Sequence, residues 1–235
     1  PGEVAALGPI FHFFKEKGDL KTLLFAPNEE KLFIWNITQS IKRDTTVMDK
    51  QISYPWREEN GGAPYYLMFL KDENTLITEL QSFPLNDKEA TLPAYQKRTL
   101  DTNKLLKSFS SYKKSIRNDE ASILPESFFY SNDAIKPDGT KVVQAMVHLA
   151  QLNILDLETG HVSGYRLEGE PDFSVFKSDE KIKSYFTRVQ ADDNYIYAVY
   201  WGKERWERFE TPHMNIIHVY DWDGNLVQKI ETDYS

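Results

Sequence analysis

The side chains best suited to holding a ligand are concentrated in Trp201-Gly202-Lys203-Glu204-Arg205-Trp206-Glu207-Arg208-Phe209. Indoles offer flat apolar faces for a sugar ring, and guanidinium groups offer a planar donor fork that fits a carboxylate. The same tryptophans would equally cover a sheet edge while the charges face water. Tyr54-Pro55-Trp56-Arg57 repeats the combination and carries the same two readings. The candidate ligand-binding residues are therefore Trp56, Arg57, Trp201, Arg205 and Trp206, with His148 and His213 added from the histidines. His148 falls at a predicted strand end, where it could face a ligand or serve as an ordinary hydrogen-bonded histidine.

Catalytic and metal chemistry find little support in the spacing. The five histidines, His12, His148, His161, His213 and His218, include no pair spaced as on a zinc-binding helix. No cysteine is present, which excludes thiolate ligands, disulfides and cysteine nucleophiles. Asp221-Trp222-Asp223-Gly224-Asn225 resembles the start of a calcium loop, but the distal glutamate is not in register, and a hairpin turn explains it better. There is no nucleophile elbow, phosphate loop or dinucleotide fingerprint. No metal, cofactor or catalytic residue is expected on these grounds.

The 235 residues carry 28 Lys and Arg against 36 Asp and Glu, a formal net charge of −8. That balance argues against extensive nucleic-acid contacts, which need a basic surface. Hydrophobic residues make up 40% and aromatics 14%, ample for a buried core. Mean hydropathy is −0.55, and no apolar run approaches the roughly 20 residues that span a bilayer.

The elements that would position these side chains follow from four short polar turns, each between β-branched or aromatic runs. They are Pro27–Glu30, Lys71–Asn74, Pro137–Thr140 and Ala191–Asn194. The third unit is the cleanest: Phe128–Ile135, Lys141–Leu149, Gln151–Leu157 and His161–Leu167 read as four strands joined by hairpin turns. Asp138-Gly139 and Thr159-Gly160 supply glycine where positive φ is needed. The second unit (Tyr65–Leu70, Leu76–Phe83, Tyr95–Leu100, Leu105–Tyr112) and the fourth (Tyr185–Gln190, Tyr195–Trp201, Asn215–Asp221, Leu226–Thr232) repeat the plan. The first is clear only for Leu20–Ala26 and Lys31–Ile37, which read as its opening pair. This pattern predicts an all-β fold, a β-propeller of four-stranded antiparallel blades with about four blades visible. Helical periodicity is nearly absent; the best candidates are Asp87–Tyr95 and Ser174–Lys183. Turns from strand one to two and three to four are short, whereas Pro84–Pro93, Ser108–Pro125, Glu168–Lys183 and Gly202–His213 are long. Binding is expected on the long-loop side.

Ile135-Lys136-Pro137-Asp138-Gly139-Thr140-Lys141, followed by Gln151-Leu152-Asn153-Ile154-Leu155-Asp156-Leu157, resembles the TolB-like six-bladed propeller proteins of Bacteroides-type bacteria. Asp193–Ala198 and Ile217–Asp221 also fit, and Pro1-Gly2-Glu3 is similar to the tail of that family's Gly-x-Gly-Pro-Gly-Glu stretch. The resemblance implies six blades, so residues 1–235 are expected to form a single propeller domain lacking its first and last blades. It also implies a periplasmic or outer-membrane lipoprotein, a monomer anchored through a lipid outside this sequence, with no assigned activity.

Two functions remain open from the sequence. One is a non-enzymatic envelope protein binding a protein, peptide or glycan through its long-loop face. The other is a carbohydrate-active hydrolase or lyase with its site at the central channel mouth. The fold class hosts both.

Overall fold

A computed structural model describes residues 11–56, 65–80, 94–110, 130–170, 183–204, 207 and 215–232. Their strands are β1 Phe11–Glu16, β2 Asp19–Ala26, β3 Lys31–Asn36, β4 Met48–Ser53, β5 Tyr65–Asp72, β6 Thr75–Leu80, β7 Ala94–Thr99 and β8 Leu105–Ser110. Then follow β9 Ser131–Ile135, β10 Lys141–Met146, β11 Gln151–Asp156, β12 Val162–Arg166, β13 Lys183–Ala191, β14 Tyr195–Glu204, β15 Asn215–Asp221 and β16 Leu226–Thr232. One short helix, α1 Ile37–Arg43, separates β3 from β4. The strands form four antiparallel sheets in which every neighbour in sequence is a neighbour in space: β1–β4, β5–β8, β9–β12 and β13–β16. The first two sheets make one compact unit and the last two another.

One backbone contact recurs at three of the four turns. The residue following the third repeat strand donates its N–H to the carbonyl that closes the turn. Tyr54 donates to Glu30 at 2.6 Å, Leu100 to Asn74 at 2.8 Å and Leu157 to Thr140 at 2.8 Å. In the last sheet Trp222 takes the same place, and its indole N–H donates to the carbonyl of Asp192 at 3.0 Å. All four side chains are buried, because a residue tied at this point is covered by the sheet it closes. Turn aspartates reinforce the pattern. Asp72, Asp138, Asp156, Asp192 and Asp221 each accept from backbone N–H groups two to four residues ahead, as Asx turns do.

Strand pairing corrects the expected start of the first sheet. Leu20–Ala26 is not the first strand of its sheet. Phe11–Glu16 pairs with it from the other side, through a tight hairpin in which Lys17 and Gly18 have φ of 49° and 84°. Positive φ at both central residues matches the right-handed strand twist. No fourth strand follows β4 among the described residues, and β5 begins soon after it at Tyr65.

Helix α1 is the second departure. The Asn36 side chain accepts from the Gln39 N–H at 2.9 Å, and Asp44 closes the helix in the left-handed region at φ 50°. Ser40 accepts from the Val47 N–H and from the Trp35 indole, and donates to the Asn36 carbonyl. These are capping signals, N-terminal and C-terminal. A helix of one apolar stripe would show periodicity, but α1 buries no residue. The predicted helix candidates lie mostly outside the described residues, and their last residues, Ala94-Tyr95 and Lys183, are strand.

Alternation sends one face of each sheet inward. In the first unit Leu23, Phe25, Leu32, Ile34, Tyr54, Trp56, Tyr65, Met68, Leu76 and Leu100 form a single cluster. In the second, Val143, Ala145, Leu152 and Ile154 meet Tyr185, Phe186, Val189, Ile196, Ala198, Tyr220 and Trp222. The edge strands β4, β8 and β16 each carry one unpaired extra residue in their ladders, at Asp49, Leu106 and Val227 respectively.

Candidate functional site

In the second unit, polar and aromatic groups converge where β9 and β13 begin and β10 ends. The cause is an irregular stretch of β13–β14. Ser184 pairs with Lys203 and Phe186 with Tyr200, so Trp201 and Gly202 together stand opposite Tyr185; a second irregularity follows at Thr187. Such bulges re-aim side chains. Gly202 has φ 69°, and a Cβ there would lie 2.5 Å from the Tyr200 hydroxyl oxygen. Only glycine lets the Tyr200 phenol fold back across its own strand.

Tyr200 then lies flat on His218, with ring centroids 4.4 Å apart and planes 10° apart. Its hydroxyl donates to Glu170 Oε1 at 3.4 Å, and that of Tyr185 donates to Glu170 Oε2 at 2.9 Å. The Lys183 ammonium is 3.9 Å from Oε2 and remains partly in water. Burial, and then Glu170, push the phenols of Tyr185 and Tyr200 above their ordinary value, so both keep their protons. His218 is 2% exposed and shares a hydrogen bond between Nδ1 and the Tyr220 hydroxyl at 3.1 Å. Burial, helped by Lys229, pulls its pKa down to about 4. The cluster is a carboxylate braced by two phenols above a neutral imidazole. It positions side chains; as arranged, neither phenol is activated as a nucleophile.

His148 belongs to this end of the unit. Its Nδ1 faces the Lys183 carbonyl at 3.4 Å, and its ring lies 6.4 Å from that of Tyr130, which is 40% exposed. A carbonyl only accepts, so this contact needs the proton on Nδ1. The chain leaves β10 at Met146, earlier than the predicted strand end, and His148 sits in the bend that follows. Trp201 is half-buried in β14, with the Lys203 ammonium 6.0 Å from its ring centre. Alternation places Ile196, Ala198 and Tyr200 toward the core of the unit, and Trp201 on the other face with Tyr197 and Val199. His148 and Trp201 are therefore at the same end of the unit, while Trp201 and Tyr200 face opposite ways.

Trp56 lies in the core of the first unit, 8% exposed, with its indole N–H donating to the Pro27 carbonyl at 3.0 Å. Arg57, Arg205, Trp206 and His213 lie outside the described residues. Glu170, Tyr185, Tyr200 and His218 were not singled out from the sequence. The available signal was Gly202 inside an otherwise aromatic strand, since a strand glycine marks a bulge or a close approach. Among the described residues no group of three or more histidine and acidic side chains could hold a metal ion.

The sequence profile described as TolB-like 6-blade propeller-like matches residues 66–235. The chain belongs to this family, and its four sheets are blades of a β-propeller. No curated protein matches the sequence. Among solved structures, a member of the DUF4221 family from Bacteroides vulgatus is 10% identical, with a TM-score of 0.49 over 96% of this chain and 82% of that one. The WD40 domain of Toxoplasma gondii coronin is 10% identical, with a TM-score of 0.48 over 96% of this chain and 47% of that one. Kluyveromyces lactis Hsv2 is 11% identical, with a TM-score of 0.44 over 96% of this chain and 62% of that one. The chain spans 59% of the length of an Hsv2 variant with a replaced loop and 16% of the tricorn protease.

Proposed function

We propose that this chain is a non-enzymatic binding or scaffold module of the cell envelope. It engages a protein, peptide or glycan through the connections between the second and third strands of its repeats. The observation that carries this reading is the unequal length of the connections in three of the four sheets. The turns 27–30, 73–74, 136–140 and 192–194 close one end of the repeats, as do 100–104, 157–161 and 222–225. The opposite end carries 37–47, 81–93, 147–150 and 205–214, all but one of them longer. Extended connections on a rigid sheet are where recognition usually resides. The envelope setting rests on family membership.

His148, Trp201, Arg205, Trp206 and His213 would contribute from this end of the second unit. Peptide and glycan arrays probed with the chain, then with Trp201→Ala, Trp206→Ala and His148→Ala, test the reading. Loss of a specific signal in these variants is the expected result. A ligand retained at full strength by all three would rule the site out.

A further inference from the structure

We propose that the β9–β12 sheet binds one internal water molecule between Gln144 Nε2, Ser131 Oγ and the Asp133 carboxyl oxygen Oδ1. Register brings these groups together. Asp133, Gln144, Asn153 and Gly164 stand opposite one another across the four strands, and Ser131 lies opposite Met146 in the next row. These positions share one face of the sheet, since Ala134, Val143, Ala145, Leu152 and Ile154 turn to the other. Gln144, Ser131 and Asn153 are 0%, 1% and 3% exposed, so bulk solvent satisfies none of them.

The amides on this face form a directed row. Gln151 Nε2 donates to Asn153 Oδ1 at 2.7 Å, and Asn153 Nδ2 donates to Gln144 Oε1 at 3.4 Å. Asn153 Nδ2 also donates to Met146 Sδ at 3.5 Å. Gly164 leaves the room this needs, because a Cβ there would stand 3.3 Å from both Asn153 Oδ1 and Gln151 Nε2. Asn153 and Gln144 each accept from the amide before, so the row ends on the N–H donors of Gln144. Among the described residues neither Gln144 Nε2 nor Ser131 Oγ meets a hydrogen-bond partner. Left so, a buried amide N–H and a buried hydroxyl would each weigh against folding.

The Met146 sulfur fixes the direction of the row. Reversing all three amides would set the Asn153 oxygen against a thioether, which accepts and cannot donate. The row therefore presents N–H rather than oxygen to Asp133 and Ser131. An N–H disfavours a cation and suits the oxygen of a water. That water accepts from Gln144, donates one proton to Asp133 Oδ1 and exchanges a hydrogen bond with the Ser131 hydroxyl. Three partners are the usual complement of a buried water, and polar groups that face each other without direct contact are commonly bridged by one. Ser131 follows Tyr130, whose carbonyl accepts the Val147 N–H at 2.8 Å. The water thus fastens β9 to β10 at the end that carries Tyr130 and His148.

A crystal structure of the whole chain that resolves ordered waters tests the proposal, together with nuclear Overhauser measurements between water and the Gln144 side-chain amide in solution. Expected are a density peak within hydrogen-bond distance of Gln144 Nε2, Ser131 Oγ and Asp133 Oδ1, and cross-peaks of the sign given by a long-lived water. Gln144→Met keeps the side-chain length and removes the donor, so the peak should be lost. Ser131→Ala removes one of the three contacts and should shorten the residence time. A direct Gln144–Asp133 hydrogen bond with no peak overturns the proposal, as does a peak unchanged in Gln144→Met. So does anomalous scattering at this place in crystals soaked with rubidium chloride, which would mark a cation. Should Gln144→Met fail to fold, the cross-peaks of the parent decide alone, and their absence is enough to overturn it.

Discussion

The Tyr200 ring lies on the His218 imidazole at 4.4 Å, and its hydroxyl reaches Glu170 from the same position. Gly202 makes both contacts compatible by leaving the space that a Cβ would take from the phenol.

Gly202→Ala is therefore expected to destabilise the second unit on two counts, a left-handed backbone carrying a side chain and a collision with Tyr200. The combined cost is about 2–4 kcal/mol. Urea denaturation of the variant with Tyr200→Phe as a partner would check it. A Gly202→Ala midpoint equal to that of the parent would show that the bulge is not held as described.

Two histidines link stability to pH. His218 and His12 both have folded values pulled down to about 4 by burial, from 6.5. His12 Nδ1 accepts the Leu70 N–H at 3.1 Å, a bond available only to the unprotonated nitrogen. Between pH 6.5 and 4 the unfolded chain takes up protons that the folded chain refuses, so stability is full above 6.5 and declines toward 4. His12→Gln and His218→Gln should each flatten that decline in urea midpoints taken across the range. A parent protein equally stable at pH 7.5 and pH 5 would contradict the assignment.

Turn aspartates act at lower pH and in the same direction. Asp156 is held below the carboxylate range chiefly by the Thr159 backbone and hydroxyl, and Asp221 chiefly by the Asn225 side chain. Their contribution is complete above the unfolded value of 3.8 and is lost as pH falls through the folded value. Asp156→Ala should cost about 1 kcal/mol at neutral pH. Asp156→Asn should cost less, because the amide oxygen still accepts, and should remove the acid-dependent part. Identical acid titrations for Asp156→Asn and the parent would argue against it.

The tryptophans separate into two groups. Trp56 and Trp222 are each 8% exposed and close their sheets through indole hydrogen bonds to Pro27 and Asp192. Truncating either to alanine should cost about 3–5 kcal/mol. Trp201 is half-buried on a strand end, and its truncation should cost no more than about 1 kcal/mol. Thermal unfolding of the three variants gives the order directly, and a reversed order would refute it.

The repeat was legible because each turn carries its own chemistry: Asp138-Gly139 and Asp156 with Gly160 specify their backbone locally. Helix α1 was hidden because it buries nothing, and its evidence is confined to the Asn36 and Asp44 caps. Strand β1 carries no such signal, because Phe11-His12-Phe13-Phe14 precedes the Pro27–Glu30 turn and has no counterpart in the other repeats. Glu170 illustrates the limit for the site. It stands in the turn after β12, and its partners Lys183, Tyr185 and Tyr200 come from β13 and β14. No spacing announces contacts between a turn and a later sheet. Trp56 shows the converse, since an indole next to arginine reads as a binding pair until its N–H is found on a carbonyl.

The extra residues at Asp49, Leu106 and Val227 break the ladder on three edge strands. A neighbouring molecule seeking to extend these sheets would meet main-chain groups out of step with its own. Edge-to-edge growth into fibrils requires long, regular borders. Those three borders are interrupted, so strand-by-strand addition along them is disfavoured.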